Sequence, residues 1–321
     1  MPLNFHPSPP EKPTPLPPNP PQRDAPKICF PVSQPKYKLK DLIVEQRLLD
    51  ELDTIIRSKE CWDKVFVEWN LKSVLKDRKN LFVNLYGAPG TGKTMAAHAI
   101  ADALGKEIIC VNYADIESKF VGETSKNLTN LFSFAKSKGY VIFFDEADAL
   151  LSKRVTNMSN ATDVSVNQTR SVLLTLLNDY EGMVIFASNF ISNYDPAFMR
   201  RIQYHVQFTL PNQELRERLW RLYVPAEMPT DINYAEISES FEGISGSDIS
   251  NAVLKAALRA AKNGDSIVKH EYYVDAVEEI LVSKKANADS SLISSTRRTI
   301  DESEVPQDVL EHSKAHNNEQ M

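Results

Sequence analysis

The sequence predicts an α/β fold: a doubly wound sheet of five parallel strands, followed by a small domain of four helices. Three observations point there. Short apolar or β-branched runs alternate with helix-forming stretches through the first two thirds of the chain. A glycine-rich octad, Gly87-Ala88-Pro89-Gly90-Thr91-Gly92-Lys93-Thr94, lies directly between one such run and the helical stretch after it. From Asn212 onward the strand-like runs vanish while helical periodicity continues.

Taken in order, thirteen of the nineteen prolines fall before Tyr37. Residues 1–36 therefore cannot hold a helix or a sheet ladder and are expected as an extended, disordered tail. Such a tail serves as a semi-rigid spacer, or as a docking segment for an adaptor that reads polyproline helices. Leu39 to Ile56 reads as a helix after a short entry. Strands are predicted at Leu81 to Tyr86, Glu107 to Asn112, Tyr140 to Phe144, Met183 to Ala187 and His205 to Phe208, with helices between them that include Met95 to Leu104. The helical domain comprises Gln213 to Tyr223, Tyr234 to Phe241, Ser247 to Ala261 and Lys269 to Val282. The chain thus divides into a proline-rich tail (1–36), an α/β core (37–211), a helical domain (212–283) and a polar, disordered tail (284–321).

Composition narrows the class. With 42% hydrophobic and 25% charged residues, the 321-residue chain has the balance of an ordinary soluble protein. A net charge of −6 gives no global field that recruits nucleic acid or an anionic membrane. Cys29, Cys61 and Cys110 are far apart and show no C-x-x-C spacing, so neither a disulfide framework nor a zinc site is expected. The first residues lack the charged start and apolar stretch of a signal peptide, and no window reaches eighteen apolar residues. A cytoplasmic protein without stable membrane insertion is expected.

The chemistry starts at the octad. Its spacing G-x-x-x-x-G-K-[ST] lets the backbone curl so that successive N–H groups face phosphate oxygens. Lys93 supplies a mobile positive charge for the β- and γ-phosphates, and the Thr94 hydroxyl is a hard oxygen ligand for Mg2+. The bland alternative is a glycine turn joining a strand to a helix. The run Val141-Ile142-Phe143-Phe144 ends abruptly in Asp145 and Glu146. A buried strand would deliver Asp145 to hold magnesium and Glu146 to polarise an attacking water, unless the two acids merely complement a helix dipole. After the next strand, Asn189 is placed to orient that water or to sense the γ-phosphate, or is a turn residue. Asp195-Pro196 opens a capped helix that ends in Arg200 and Arg201. The two cations complement a helix C-terminus, or reach the γ-phosphate of a neighbouring subunit.

In this order the motifs resemble the AAA+ ATPases, and within them the protein-remodelling branch that includes katanin, spastin and the AAA module of membrane AAA proteases. The likeness spans roughly Leu39 to Val282. It implies a P-loop AAA+ core with a helical lid, in which GAPGTGKT is similar to Walker A, FFDEADAL to Walker B and Asn189 to sensor 1. DPAFMRRI resembles the second region of homology, with Arg200 and Arg201 as adjacent arginine fingers. Lys119, Phe120, Val121 and Gly122 resemble the aromatic pore loop that grips a polypeptide in the central pore. Met95, Gly246 and Ser247 join the nucleotide contacts, and adenine is placed near Leu42, Ile43 and Val44. There the chain departs from the branch, with Val44 where a glycine is usual. No sensor 2 arginine follows Gly243-Ile244-Ser245-Gly246-Ser247-Asp248, unlike clamp loaders and replication initiators.

What the resemblance implies is an ATPase using ATP and Mg2+, assembled as a homo-oligomeric ring, a hexamer, that remodels, unfolds or threads a protein substrate. Two alternatives share the phosphate chemistry. One is a nucleic-acid-stimulated loader or regulator, disfavoured by the scarcity of basic residues beyond Lys119, Lys126, Lys153 and Arg154. The other is an assembly scaffold switched by nucleotide.

Overall fold

A computed structural model describes residues 30–75, 80–112, 123–152, 161–189 and 194–292 of the chain. Continuous apolar runs require a sheet covered on both faces, because alternation is lost when neither face meets water. The runs form β2 (Leu81–Gly87), β3 (Ile108–Asn112), β4 (Val141–Asp145), β5 (Met183–Ser188) and β6 (Tyr204–Phe208), all parallel to one another. Val141, Ile142, Phe143 and Phe144 are each fully buried.

Successive residues serve opposite faces, as the pleat dictates. Ile142, Phe144, Val184 and Phe186 pack with α3 (Glu123–Lys138), α4 (Asp148–Leu151) and α5 (Ala161–Asp179). Val141, Phe143, Ile185 and Ala187 pack with α1 (Gln46–Glu60) and α2 (Lys93–Ala103). A short α6 (Pro196–Met199), N-capped by Asp195, joins β5 to β6.

The sheet differs from the five-stranded expectation by one strand. β1 (Val32–Ser33) pairs antiparallel with β3, giving the order β1-β3-β4-β5-β2-β6. It falls in the stretch read as a proline-rich tail. An edge position is where a strand flanked by Pro31 and Pro35 is tolerated, because proline cannot donate to a ladder on both sides. Phe30 adds a stacking contact on Phe134 at 6.3 Å between centroids.

The helix expected over Leu39 to Ile56 is also broken. A 3₁₀ turn covers Leu39–Asp41, residues 42–45 are non-helical with Leu42 and Glu45 extended, and α1 begins only at Gln46. Leu42 is 4% exposed, and a Cβ on Gly92 would sit 4.0 Å from its Cδ2. Burying Leu42 beside the octad outweighs the helical propensity of the stretch.

Four helices follow: α7 (Gln213–Tyr223), α8 (Tyr234–Ser240), α9 (Gly246–Asn263) and α10 (His270–Leu292). Asn212, Asn233 and Ser245 cap the first three through their side chains, and Gly264 ends α9 in the left-handed region at φ 74°. Their core centres on Trp220 and Tyr273, in edge contact at 5.9 Å. α10 runs past Val282 into the stretch read as a polar tail. Lys284 and Lys285 are good helix formers despite their polarity, and Ala286 is a better one, so composition alone misplaced the end. No helix among the described residues is long and apolar enough to cross a membrane.

Candidate functional site

Parallel register brings the ends of three strands to one edge. Tyr86 pairs with Ser188 and Asn112 with Asp145, so the octad after β2, the acids after β4 and Asn189 after β5 emerge side by side. This is the carboxyl edge, where open α/β sheets bind ligands.

The octad is shaped by glycines that nothing else can replace. Gly87 has φ 144°, and a Cβ there would lie 2.0 Å from the Phe208 carbonyl oxygen on β6. Gly87→Ala is therefore expected to destabilise the fold by about 2 kcal/mol or more, because the clash is with backbone that a sheet holds in place. Urea denaturation checks this, and a midpoint equal to that of the parent would contradict the packing. Gly90 has φ 75°, and a Cβ on it would meet Ser245 Oγ at 2.6 Å and Ser247 Oγ at 2.8 Å. The helical domain is thus seated on the loop, and Ser247 N–H donates to the Gly90 carbonyl at 3.3 Å. Gly92, at φ 100°, starts α2 with no side-chain cap, which leaves the first amides of that helix for an anion.

Lys93 is 9% exposed, and its ammonium donates to Gly87 O at 2.7 Å, Ala88 O at 2.9 Å and Asn189 Oδ1 at 3.0 Å. Burial lowers its pKa, an effect opposed by the Asp145 and Asp148 carboxylates. Thr94 Oγ1 donates to Asp145 Oδ2 at 3.0 Å, and Glu146 N–H donates to Asp145 Oδ1 at 3.0 Å. Glu146 itself is exposed and left-handed, at φ 51°. A non-glycine residue rarely adopts that region, and here it turns β4 straight into α4, while Ala147 N–H is pinned to Ala187 O at 2.8 Å. The Thr94 hydroxyl and Asp145 carboxylate are two hard oxygens in contact, a donor set that fits magnesium.

Beneath this edge lies an open cleft. Ile43, Val44, Gly90, Thr91, Gly92, Met95 and Gly246 all line it, so these predicted nucleotide contacts come together. Sequence reasoning missed its other wall. Leu215, Leu219 and Tyr223 of α7 face the cleft at a spacing of four, a stripe that also reads as core of the helical domain. It also assigned nothing to Asp148, which lies within FFDEADAL and accepts from Asn189 N–H at 3.2 Å. Tyr194 was missed too: its hydroxyl meets Ser188 Oγ and, at 3.3 Å, Asn84 Oδ1, bracing the end of β5.

The two arginines stand elsewhere. Gln203, just after them, exchanges hydrogen bonds with Phe82 at the opposite end of β2 from Gly87. At about 3.3 Å per strand residue, that places Gln203 roughly 16 Å from the octad, and the hydrogen bonds of both arginines go to other residues. Arg200 is exposed and donates only locally, from Nε to Pro196 O at 3.2 Å. Arg201 donates to Asn178 Oδ1 at 2.8 Å and to Ala197 O at 2.7 Å. Lys119, Phe120, Val121 and Gly122 lie outside the described residues.

A glycine loop on a lysine-headed helix, acids on a neighbouring strand and a helical lid over the loop define a P-loop nucleotide-binding domain. Comparison with known proteins agrees. The profile of the family "ATPase family associated with various cellular activities (AAA)" matches residues 83–210. Proteasome-activating nucleotidase of Saccharolobus islandicus is 34% identical over 216 residues, 65% of this chain and 54% of that protein. The 26S proteasome regulatory subunit 6A of Schizosaccharomyces pombe is 31% identical, covering 62% of this chain and 47% of its own length. Its Saccharomyces cerevisiae counterpart is also 31% identical, over 62% and 48%. Residues 83–210 thus match the AAA ATPase family, and the chain spans about half the length of the curated relatives it matches.

Proposed function

We propose that this chain hydrolyses ATP in the cleft between sheet and lid, and couples the reaction to unfolding or threading a protein substrate. The convergence of Lys93, Thr94, Asp145 and Asn189 at one sheet edge is the observation that most supports this reading. Amides of the glycine loop and of the start of α2 bind the phosphates, and Lys93 exchanges its carbonyl partners for β- and γ-phosphate oxygens. Thr94 and Asp145 would hold Mg2+, which supplies positive charge against the phosphate oxygens when bound. Glu146 polarises the attacking water and takes its proton, and Asn189 orients that water. Ile43, Val44, Met95 and Gly246 enclose the base, and Ser247 anchors the lid on the loop.

Arg200 and Arg201 act on the γ-phosphate of a neighbouring copy, so the working form is a homo-oligomeric ring, a hexamer as the resemblance to the protein-remodelling AAA+ ATPases implies. The proteasomal names of those relatives support a protein substrate. In this reading the loop from Lys119 through Phe120 and Val121 to Gly122 grips the polypeptide in the central pore. The proline-rich tail offers a site for an adaptor, and the cytoplasm is the setting. A net charge of −6 disfavours the nucleic-acid alternative.

Sites completed between copies make activity depend on assembly. ATP turnover per chain is expected to rise steeply with protein concentration, and unfolded casein is expected to raise it further while duplex DNA does not. Flat specific activity on dilution would overturn the shared site. DNA stimulation that fades steeply with salt would overturn the protein-substrate reading.

A further inference from the structure

The lid meets the glycine loop through one turn, and that turn is held from an unexpected direction. Ser245 caps α9 and Asp248 returns the favour: its Oδ2 accepts from Ser245 N–H at 2.6 Å and from Ser245 Oγ at 2.7 Å. Asp248 is 8% exposed, so its charge needs compensation beyond these hydrogen bonds. The compensation arrives from the far end of α10, where Lys284 Nζ forms an ion pair with the same Oδ2. We propose that Lys284 is a positioning residue for the nucleotide: through Asp248 it holds the first turn of α9 against the glycine loop, so that the end of α10 sets how tightly the cleft retains ATP or ADP.

The contact downstream of Asp248 has no slack. Ser247 N–H donates to Gly90 O, and a single added carbon at Gly90 would collide with Ser245 and Ser247. Gly246, between those serines, lines the cleft. A shift of the Ser245-Gly246-Ser247 turn therefore moves a wall of the cleft and its contact with the loop together. Loss of Lys284 would act there and not on the lid as a whole. Its side chain is 43% exposed, and α9 and α10 keep two further ion pairs, Lys255–Glu279 at 2.9 Å and Arg259–Asp275 at 2.6 Å, besides their shared apolar core. Linkage makes the effect reciprocal: nucleotide in the cleft should in turn steady the end of α10.

The inference rests on the nucleotide reading of the cleft, and the test separates the two. Binding of a fluorescent ADP analogue is measured by titration on the full chain, with thermal melting as a check on folding. Lys284→Ala is expected to raise Kd about tenfold, with turnover at saturating ATP within about threefold of the parent. Lys284→Arg, which keeps the charge, should restore Kd to within about threefold. Lys255→Ala, which removes an ion pair between the same helices away from the capping turn, should leave Kd unchanged. A parent-like Kd in Lys284→Ala, or an equal loss in Lys255→Ala, would overturn the role assigned to Lys284. Lys93→Ala runs alongside: unchanged binding in that variant would sink the nucleotide reading itself, whatever Lys284 does.

Discussion

Glu146→Gln is expected to lower ATP turnover by about a hundredfold to ten-thousandfold while leaving ATP affinity within about threefold of the parent. The two neighbouring acids are separated by what they touch. Asp145 has one oxygen engaged by the Thr94 hydroxyl and the other by the Glu146 amide, so its carboxylate is fixed in direction and suited to hold a cation. Glu146 is exposed, and its anchored group is the backbone N–H, which an amide side chain leaves untouched. The substitution thus removes a proton acceptor and keeps the left-handed turn. Phosphate release gives the rate and a fluorescent ATP analogue the affinity. Turnover near that of the parent would refute the general base, and lost affinity would move Glu146 from chemistry to binding.

Arg200→Ala is expected to reduce turnover by about a thousandfold, the scale on which an arginine finger acts in phosphoryl transfer. The position of this side chain makes a sharper test available. Gln203, just beyond its helix, lies at the opposite end of β2 from the glycine loop, and Arg200 hydrogen-bonds to Pro196 with no tie to the loop of its own copy. Mixing Glu146→Gln chains with Arg200→Ala chains should then rescue activity that neither has alone. Where an Arg200→Ala copy meets a Glu146→Gln neighbour, an intact acid and an intact arginine share one nucleotide. Random mixing in a closed ring makes about a quarter of the junctions competent. Turnover in the mixture that equals the mean of the separate variants would rule out the shared site.

Much of this arrangement was legible before any coordinates. Val141 to Phe144 and Met183 to Ala187 are buried on both faces, so their apolar character had no competing explanation, and the acids or amides that end them mark the sheet edge. The lid helices were marked by helical periodicity from Gln213 onward, and the structure adds side-chain caps at Asn212, Asn233 and Ser245. What escaped depends on partners distant in sequence. Val32 and Ser33 are too few to form a pattern, and only the free edge of β3 makes them a strand. Leu42 to Val44 were absorbed into the helical reading of the longer stretch, and the cleft they line is what keeps them out of the helix. The end of α10 was hidden by its polarity, and Asp148 by having a sequence neighbour, Asp145, that explained the motif without it.

The unequal footing of the two arginines has a mechanical consequence. Arg200 is tied only to the turn it stands on, whereas Arg201 is braced against Asn178 in the last turn of α5. That helix shares its packing with α4, which starts two positions beyond Glu146, through Leu150, Leu151, Leu173 and Leu174. In the proposed ring, α5 is then a pushrod. A shift at the catalytic edge of one copy would reach the Arg201 brace through that helix.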